Sequence, residues 1–161
     1  MSWRRRHLLL AAACLPLAAC GFEPVYGPNG GAQSLQNRVA LAEPGGRDAY
    51  LLAQRIEGRL GRAADPAYRL ETAVNTSRDG LATTPDGKTT RYHLVGTARY
   101  TLRAADGNTV IAQGRVQNFV GYSATGTTVA TLAAERDAQS RLMTILADEI
   151  VDRLIVAAPA P

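Results

Sequence analysis

Histidine occurs only twice in this chain, at His7 and His93, and cysteine only twice, at Cys14 and Cys20. A metal site needs several ligands at usable spacing, and this set supplies none. The serines Ser34, Ser77, Ser123 and Ser140 all lack the G-x-S-x-G setting of a hydrolase elbow. Gly27-Pro28-Asn29-Gly30-Gly31 is glycine-rich, yet no Lys-Ser/Thr pair follows it, so it does not form a phosphate cradle. His93 falls on the polar side of an alternating segment, as a surface histidine does. These scarcities point to a protein without catalysis, metal or dissociable cofactor.

Long apolar runs are scarce as well. The N-terminal one, Leu8 to Ala19, is interrupted by Pro16, and it falls short of the roughly 20 residues that span a bilayer. It follows the basic segment Arg4-Arg5-Arg6 and ends in small residues, the pattern of a secretory signal. The four residues Leu17-Ala18-Ala19-Cys20 resemble the bacterial lipobox. In that chemistry the Cys20 thiol receives a diacylglyceryl group, the chain is cut before it, and a fatty acyl chain such as palmitate caps the new amine. A buried or disulfide-bonded Cys20, with Cys14 as its partner, is the alternative. Arg5-Arg6-His7-Leu8-Leu9 is also compatible with a twin-arginine signal, so the export route stays open.

Cleavage redraws the composition. Removing residues 1–19 from the 161 leaves 142, enough for one domain with a core of its own. The basic count falls from 18 to 15 with the loss of Arg4, Arg5 and Arg6, against 14 acidic residues. The mature net charge is therefore about +1, which offers no basic footprint for nucleic acid. With Cys20 acylated no free thiol remains, and the fold must rest on its core.

Residues 20–34 read as a lipidated tether rich in Gly and Pro, and 35–156 as a single domain, with 157–161 a frayed tail. Leu35 to Leu41 alternates as a short strand, and Pro44-Gly45-Gly46 ends it. Asp48 is placed to cap a helix with Ala49, Leu52, Ala53, Ile56 and Leu60 on one face, closed by Gly61 and Pro66. Three strands follow, over Tyr68 to Asn75, Arg91 to Leu102 and Val110 to Val120. Asp86-Gly87 and Asp106-Gly107 supply the hairpin turns between them. A long helix from Thr128 to Val156 carries Leu132, Met143, Leu146, Ile150 and Leu154 on one side, with Asp148, Glu149 and Asp152 on the solvent side. The expected fold is α+β, a two-layer β-α-β-β-β-α sandwich. Its four-stranded, mostly antiparallel sheet carries both helices on one face. Gly96, Ala98, Ala112 and Gly114 would let a helix lie close.

Two features invite a functional reading. The sheet's other face carries Asn75, Thr97, Arg99, Thr101, Gln113, Arg115 and Gln117. Such a face suits water, and equally a polar interior such as a β-barrel lumen. Around the loop joining the second and third strands stand Arg78, Lys88 and Arg91. They either solubilise the loop or hold phosphates through charge-assisted hydrogen bonds.

Cys20-Gly21-Phe22-Glu23-Pro24-Val25-Tyr26-Gly27 resembles the start of the lipopolysaccharide-assembly lipoproteins of the LptE family, alphaproteobacterial members above all, with Val25 where leucine is usual. The element order and the long final helix are similar to that family. The resemblance implies an outer-membrane lipoprotein on the periplasmic side, anchored at Cys20 and seated as a plug inside the β-barrel LptD. Its implied role is to help that barrel assemble and to deliver lipopolysaccharide to the surface. Gly21, where inner-membrane retention uses aspartate, agrees with the outer membrane. The family binds lipopolysaccharide through basic residues, for which Arg78, Lys88 and Arg91 are the candidates here. The alternative is an accessory or ligand-binding lipoprotein of another envelope lipid-transport system, which would need a sizeable apolar cavity.

Overall fold

The computed structural model describes residues 31–158. The signal segment, Cys20 and the C-G-F-x-P-x-Y-G motif lie outside them. Elements run α1 (Gly31–Leu35), β1 (Val39–Leu41), α2 (Arg47–Leu60), β2 (Tyr68–Thr83), β3 (Thr89–Ala104), β4 (Val110–Ser123) and α3 (Thr128–Ala157). The four strands form one sheet in the order β1-β2-β3-β4. β1 pairs parallel with β2, and the other two pairings are antiparallel. A parallel pair needs a crossover of a dozen or more residues, and α2 provides it. The expected two-layer α+β sandwich is the fold observed.

Several local readings change. The alternation from Leu35 does not begin a strand. Residues 31–34, expected to end the tether, join Leu35 in α1, and Leu35 is fully buried at its end. Asn37, in the left-handed region at φ 55°, then turns the chain into β1. Its N–H donates to the Leu60 carbonyl at 2.7 Å, which ties this turn to the end of α2. There Gly61 has φ 78°, and a Cβ on it would collide with the Asn37 side chain. Asp48 does not cap α2, because Gly46 holds the cap position. Lying within the first turn, Asp48 instead accepts a hydrogen bond from the Thr76 hydroxyl of β2 at 3.1 Å.

β2 also continues eight residues beyond Asn75. Asp79-Gly80 looks like a turn, but its backbone pairs with His93 and Tyr92, and the register shifts between Gly80 and Ala82. Ladder hydrogen bonds override the local turn preference here, leaving Leu81 as the bulged residue. The true turns fall where expected, with Gly87 at φ 82° and Gly107 at φ 75°. Asp106 secures the second by accepting from the N–H groups of Asn108 and Thr109 at 3.0 and 3.2 Å. Those donors hold its carboxyl below the usual range.

The core lies between the sheet and the helices. Leu52 and Ile56 of α2, Leu70 and Leu102 of the sheet, and Leu142, Leu146 and Ile150 of α3 have no solvent exposure. Gly96 permits the close approach: a Cβ there would stand 2.9 Å from the methyl ends of both Leu142 and Leu146. Gly114 makes room for the Tyr100 ring of the neighbouring strand and not for a helix. Thr127 caps α3, its hydroxyl accepting from the Ala130 N–H at 3.2 Å. The helix's buried residues begin only at Ala138, so Leu132 is 46% exposed and not part of the stripe. The α2 contacts that seal this side lie about four turns further along α3. There Arg55 and Arg59 reach Asp148 and Asp152.

Candidate functional site

The sheet has a covered face and an open one, and side chains alternate between them. Along β3, Leu94, Ala98, Tyr100 and Leu102 point under the helices and are buried, so Arg91, His93, Thr97, Arg99 and Arg103 belong to the open face. The register then sorts the loop-flanking cations. Arg78 pairs with Leu94 and therefore lies on the helix side. Its guanidinium is 3.3 Å from Glu135 of α3 and 5.1 Å above the Tyr92 ring. Tyr92 in turn stacks on Tyr122 at 5.4 Å. The Tyr122 hydroxyl, buried and short of a well-aligned partner, sits beside Arg78. That hydroxyl, with Glu135, raises the guanidinium pKa further.

Arg91 is on the opposite side. With Leu81, His93 and Ser123 it lines a shallow depression of about 320 Å³. Lys88 stands in the turn, 3.2 Å from Asp86. Arg78 and Arg91 are thus separated by the thickness of the sheet, and the three cations converge on no single point.

The open face holds what the composition suggested, and more. Asn75, Thr97, Arg99 and Arg115 line a depression of about 200 Å³. Arg115 donates to Gln117 at 3.0 Å and to Thr97 at 3.5 Å. At the distal end of the face Phe119 is 55% exposed and lies against His93, ring centroids 4.6 Å apart. An aromatic at a solvent-facing strand position was the sequence signal for this contact. The carboxylates of α3 are engaged rather than merely solvated. Asp148 takes two bonds from Arg55 at 2.9 and 3.0 Å and one from Arg59 at 3.1 Å. Glu149 pairs with Arg153 at 2.7 Å. Arg55 lowers the Asp148 pKa against the opposing effect of burial, and Arg59 adds to it.

Among the described residues, no three His, Cys, Asp or Glu side chains group to hold a metal ion. No described helix is long and apolar enough to cross a membrane. What the described residues offer is surface: an arginine-bearing sheet face and a half-buried hairpin end.

The architecture recurs in solved structures of bacterial lipoproteins. A lipoprotein from Caulobacter crescentus superposes with a TM-score of 0.65 at 22% identity, over 78% of this chain and 94% of that one. Rare lipoprotein B from Shewanella oneidensis gives 0.56 at 14% identity, over 73% and 91%. A minor lipoprotein from Acinetobacter baumannii gives 0.56 at 16%, over 77% and 93%. At these identities the likeness establishes the fold. No curated protein matches the chain. The family model described as LptE, lipopolysaccharide-assembly, matches residues 33–154. The chain belongs to that family.

Proposed function

We propose that the chain is a non-enzymatic outer-membrane lipoprotein. It is anchored through acylated Cys20 and seats as plug and assembly partner in the β-barrel LptD, serving the transfer of lipopolysaccharide to the cell surface. The observation that carries this reading is the family match across nearly the whole folded domain, joined to the lipobox and C-G-F-x-P-x-Y-G at its start. The interior supports it over a ligand-binding role. The space between the layers is filled by Leu70, Leu102, Leu142, Met143, Leu146 and Ile150, all without exposure.

The lipopolysaccharide phosphates are assigned, within this proposal, to Arg78, Lys88 and Arg91, which would grip from both sides of the β2–β3 hairpin end. Alanine at all three with unchanged lipopolysaccharide binding would remove that assignment. The function itself is tested by extracting outer membranes in mild detergent and recovering the chain by a C-terminal tag. A large β-barrel in equal amount is the expected result. Recovery of an inner-membrane transporter alone would overturn the reading in favour of another lipid-transport system. Substituting Cys20 with Ala is expected to release the chain from the membrane fraction, as followed by acyl labelling.

A further inference from the structure

The arginines of this protein divide by face. On the helix side, Arg55, Arg59 and Arg78 each meet a carboxylate. On the open face the strand register sets Arg99 directly opposite Arg115, and Arg69 directly opposite Arg103. Directly opposed residues of neighbouring strands have Cα atoms about 5 Å apart, and like charges so placed are mutually destabilising. Among the described residues, only Arg103 of the four has a carboxylate within 4 Å, Glu71 at 3.9 Å. Arg69, Arg99 and Arg115 are exposed. Arg99 and Arg103 stand four residues apart on β3, about 13 Å along the strand. Among the described residues the quartet therefore spans three strands with a single acid beside it, while Arg55, Arg59 and Arg78 on the other side are each paired with a carboxylate.

We propose that this open face is a docking surface for a carboxylate-bearing protein wall, with Arg69, Arg99, Arg103 and Arg115 as its anchors. The inference rests on the plug reading, on which the wall is the inner surface of the barrel. Guanidinium groups match carboxylates bidentately, and a partner that brings carboxylates removes the like-charge repulsion the free chain carries. The residues between the arginines, Thr97, Thr101, Gln113 and Gln117, are short or neutral hydrogen-bonding groups on the sheet. Such a surface suits another sheet, whereas a phospholipid or glycolipid would also need an apolar groove for its chains. Of the exposed apolar residues, Leu81 and Phe119 lie toward the β2–β3 hairpin end, and Val110 stands singly opposite Arg103, too little to make such a groove.

The test compares tagged full-length chains recovered from outer membranes. Arg115→Glu turns the pair with Arg99 from repulsive to attractive, so the free chain's Tm is expected to rise by about 1–5 °C. Barrel recovery is expected to fall at least ten-fold in the same variant. A folding defect cannot move both readouts in those directions. In a second variant, Arg99→Lys with Arg115→Lys, the charge stays and carbodiimide can couple the new amines to carboxylates. Background is low because Lys88 is the chain's only lysine. Isopeptide bonds from residues 99 and 115 to barrel Asp or Glu are expected. Full barrel recovery with Arg115→Glu, or no such cross-links in a complex that still forms, would overturn the inference and leave the plug reading standing. Undiminished barrel recovery with loss of bound phosphorylated glycolipid would make the face a headgroup site instead and overturn it. Absence of any barrel with the unsubstituted chain would remove both readings together.

Discussion

The two ends of this molecule are built on different principles. At one end α2, β1 and the second half of α3 enclose the core, and α3 is buried at Ala138, Leu142, Met143, Leu146, Ala147, Ile150, Val151, Leu154 and Ile155. At the other, β2 beyond Asn75 and α3 before Ala138 contain no buried residue. There the fold is held by the backbone ladder, the Tyr92–Tyr122 stack and the Arg78–Glu135 pair. Apolar burial gives the first end its stability. The second end has surplus surface, and its side chains can be chosen for a partner with little effect on folding.

The largest effect that would sharpen this contrast is Leu146→Ala. Leu146 is fully buried and lies over Gly96, so truncation leaves a cavity between helix and sheet. A loss of about 3 kcal/mol is expected in denaturant unfolding. A loss below about 1 kcal/mol would mean that the enclosed end is loosely packed, and the contrast would fail.

Next comes Gly96→Ala. Its Cβ would press on both Leu142 and Leu146, and overpacking of a fixed core costs about 1–3 kcal/mol. The contacted atoms are methyl ends, so the lower part of that range is expected. The same substitution at Gly58, whose added Cβ would meet nothing within 4 Å, provides the control and is expected to stabilise its helix slightly.

Much of this division was legible in the sequence, and the failures have a common cause. The period-two alternation of β3 and β4 gives both faces of the sheet, because every odd position from Arg91 to Thr101 faces away from the helices. The turn dipeptides at Gly87 and Gly107 were likewise readable, since a positive φ selects glycine. Leu132 misled because helical spacing identifies a stripe but not how far a neighbouring helix extends along it. The end of β2 was set too early, at Asn75, because pairing with β3 carries the strand on through Asp79 and Gly80 opposite His93 and Tyr92. The opposed arginines needed the register between strands, which alternation within one strand does not supply. Arg78 and Arg91 fall on opposite faces for the related reason that the twelve residues between them include both a bulge and a turn.

Asp148→Asn is a smaller probe, placed at the seam between α2 and α3. It removes the charge shared by Arg55 and Arg59 and is expected to cost about 1 kcal/mol at most at neutral pH, because solvent screens the group. The folded-state pKa of Asp148 is lowered, so its contribution is complete above the ordinary carboxylate value of about 4. It is lost as pH falls through the lower folded value. The gap between native and Asn proteins should therefore close on acidification below about pH 4. A gap that persists there would assign the effect to packing rather than charge.

The smallest effect belongs to the exposed end, and it is the one most able to break the comparison. Leu132 lies on the side of α3 that becomes the buried stripe further on, yet it is 46% exposed, and Val129 one turn earlier is 79% exposed. If that end is free of packing, Leu132→Asp changes unfolding free energy by no more than about 0.5 kcal/mol. A charge introduced at a packed position would instead cost several times that. The same variant can be read in the barrel-recovery assay, where loss of recovery at unchanged stability would identify this turn of α3 as partner-facing. A large loss of stability would show that the two ends share one core, and the division drawn here would not hold.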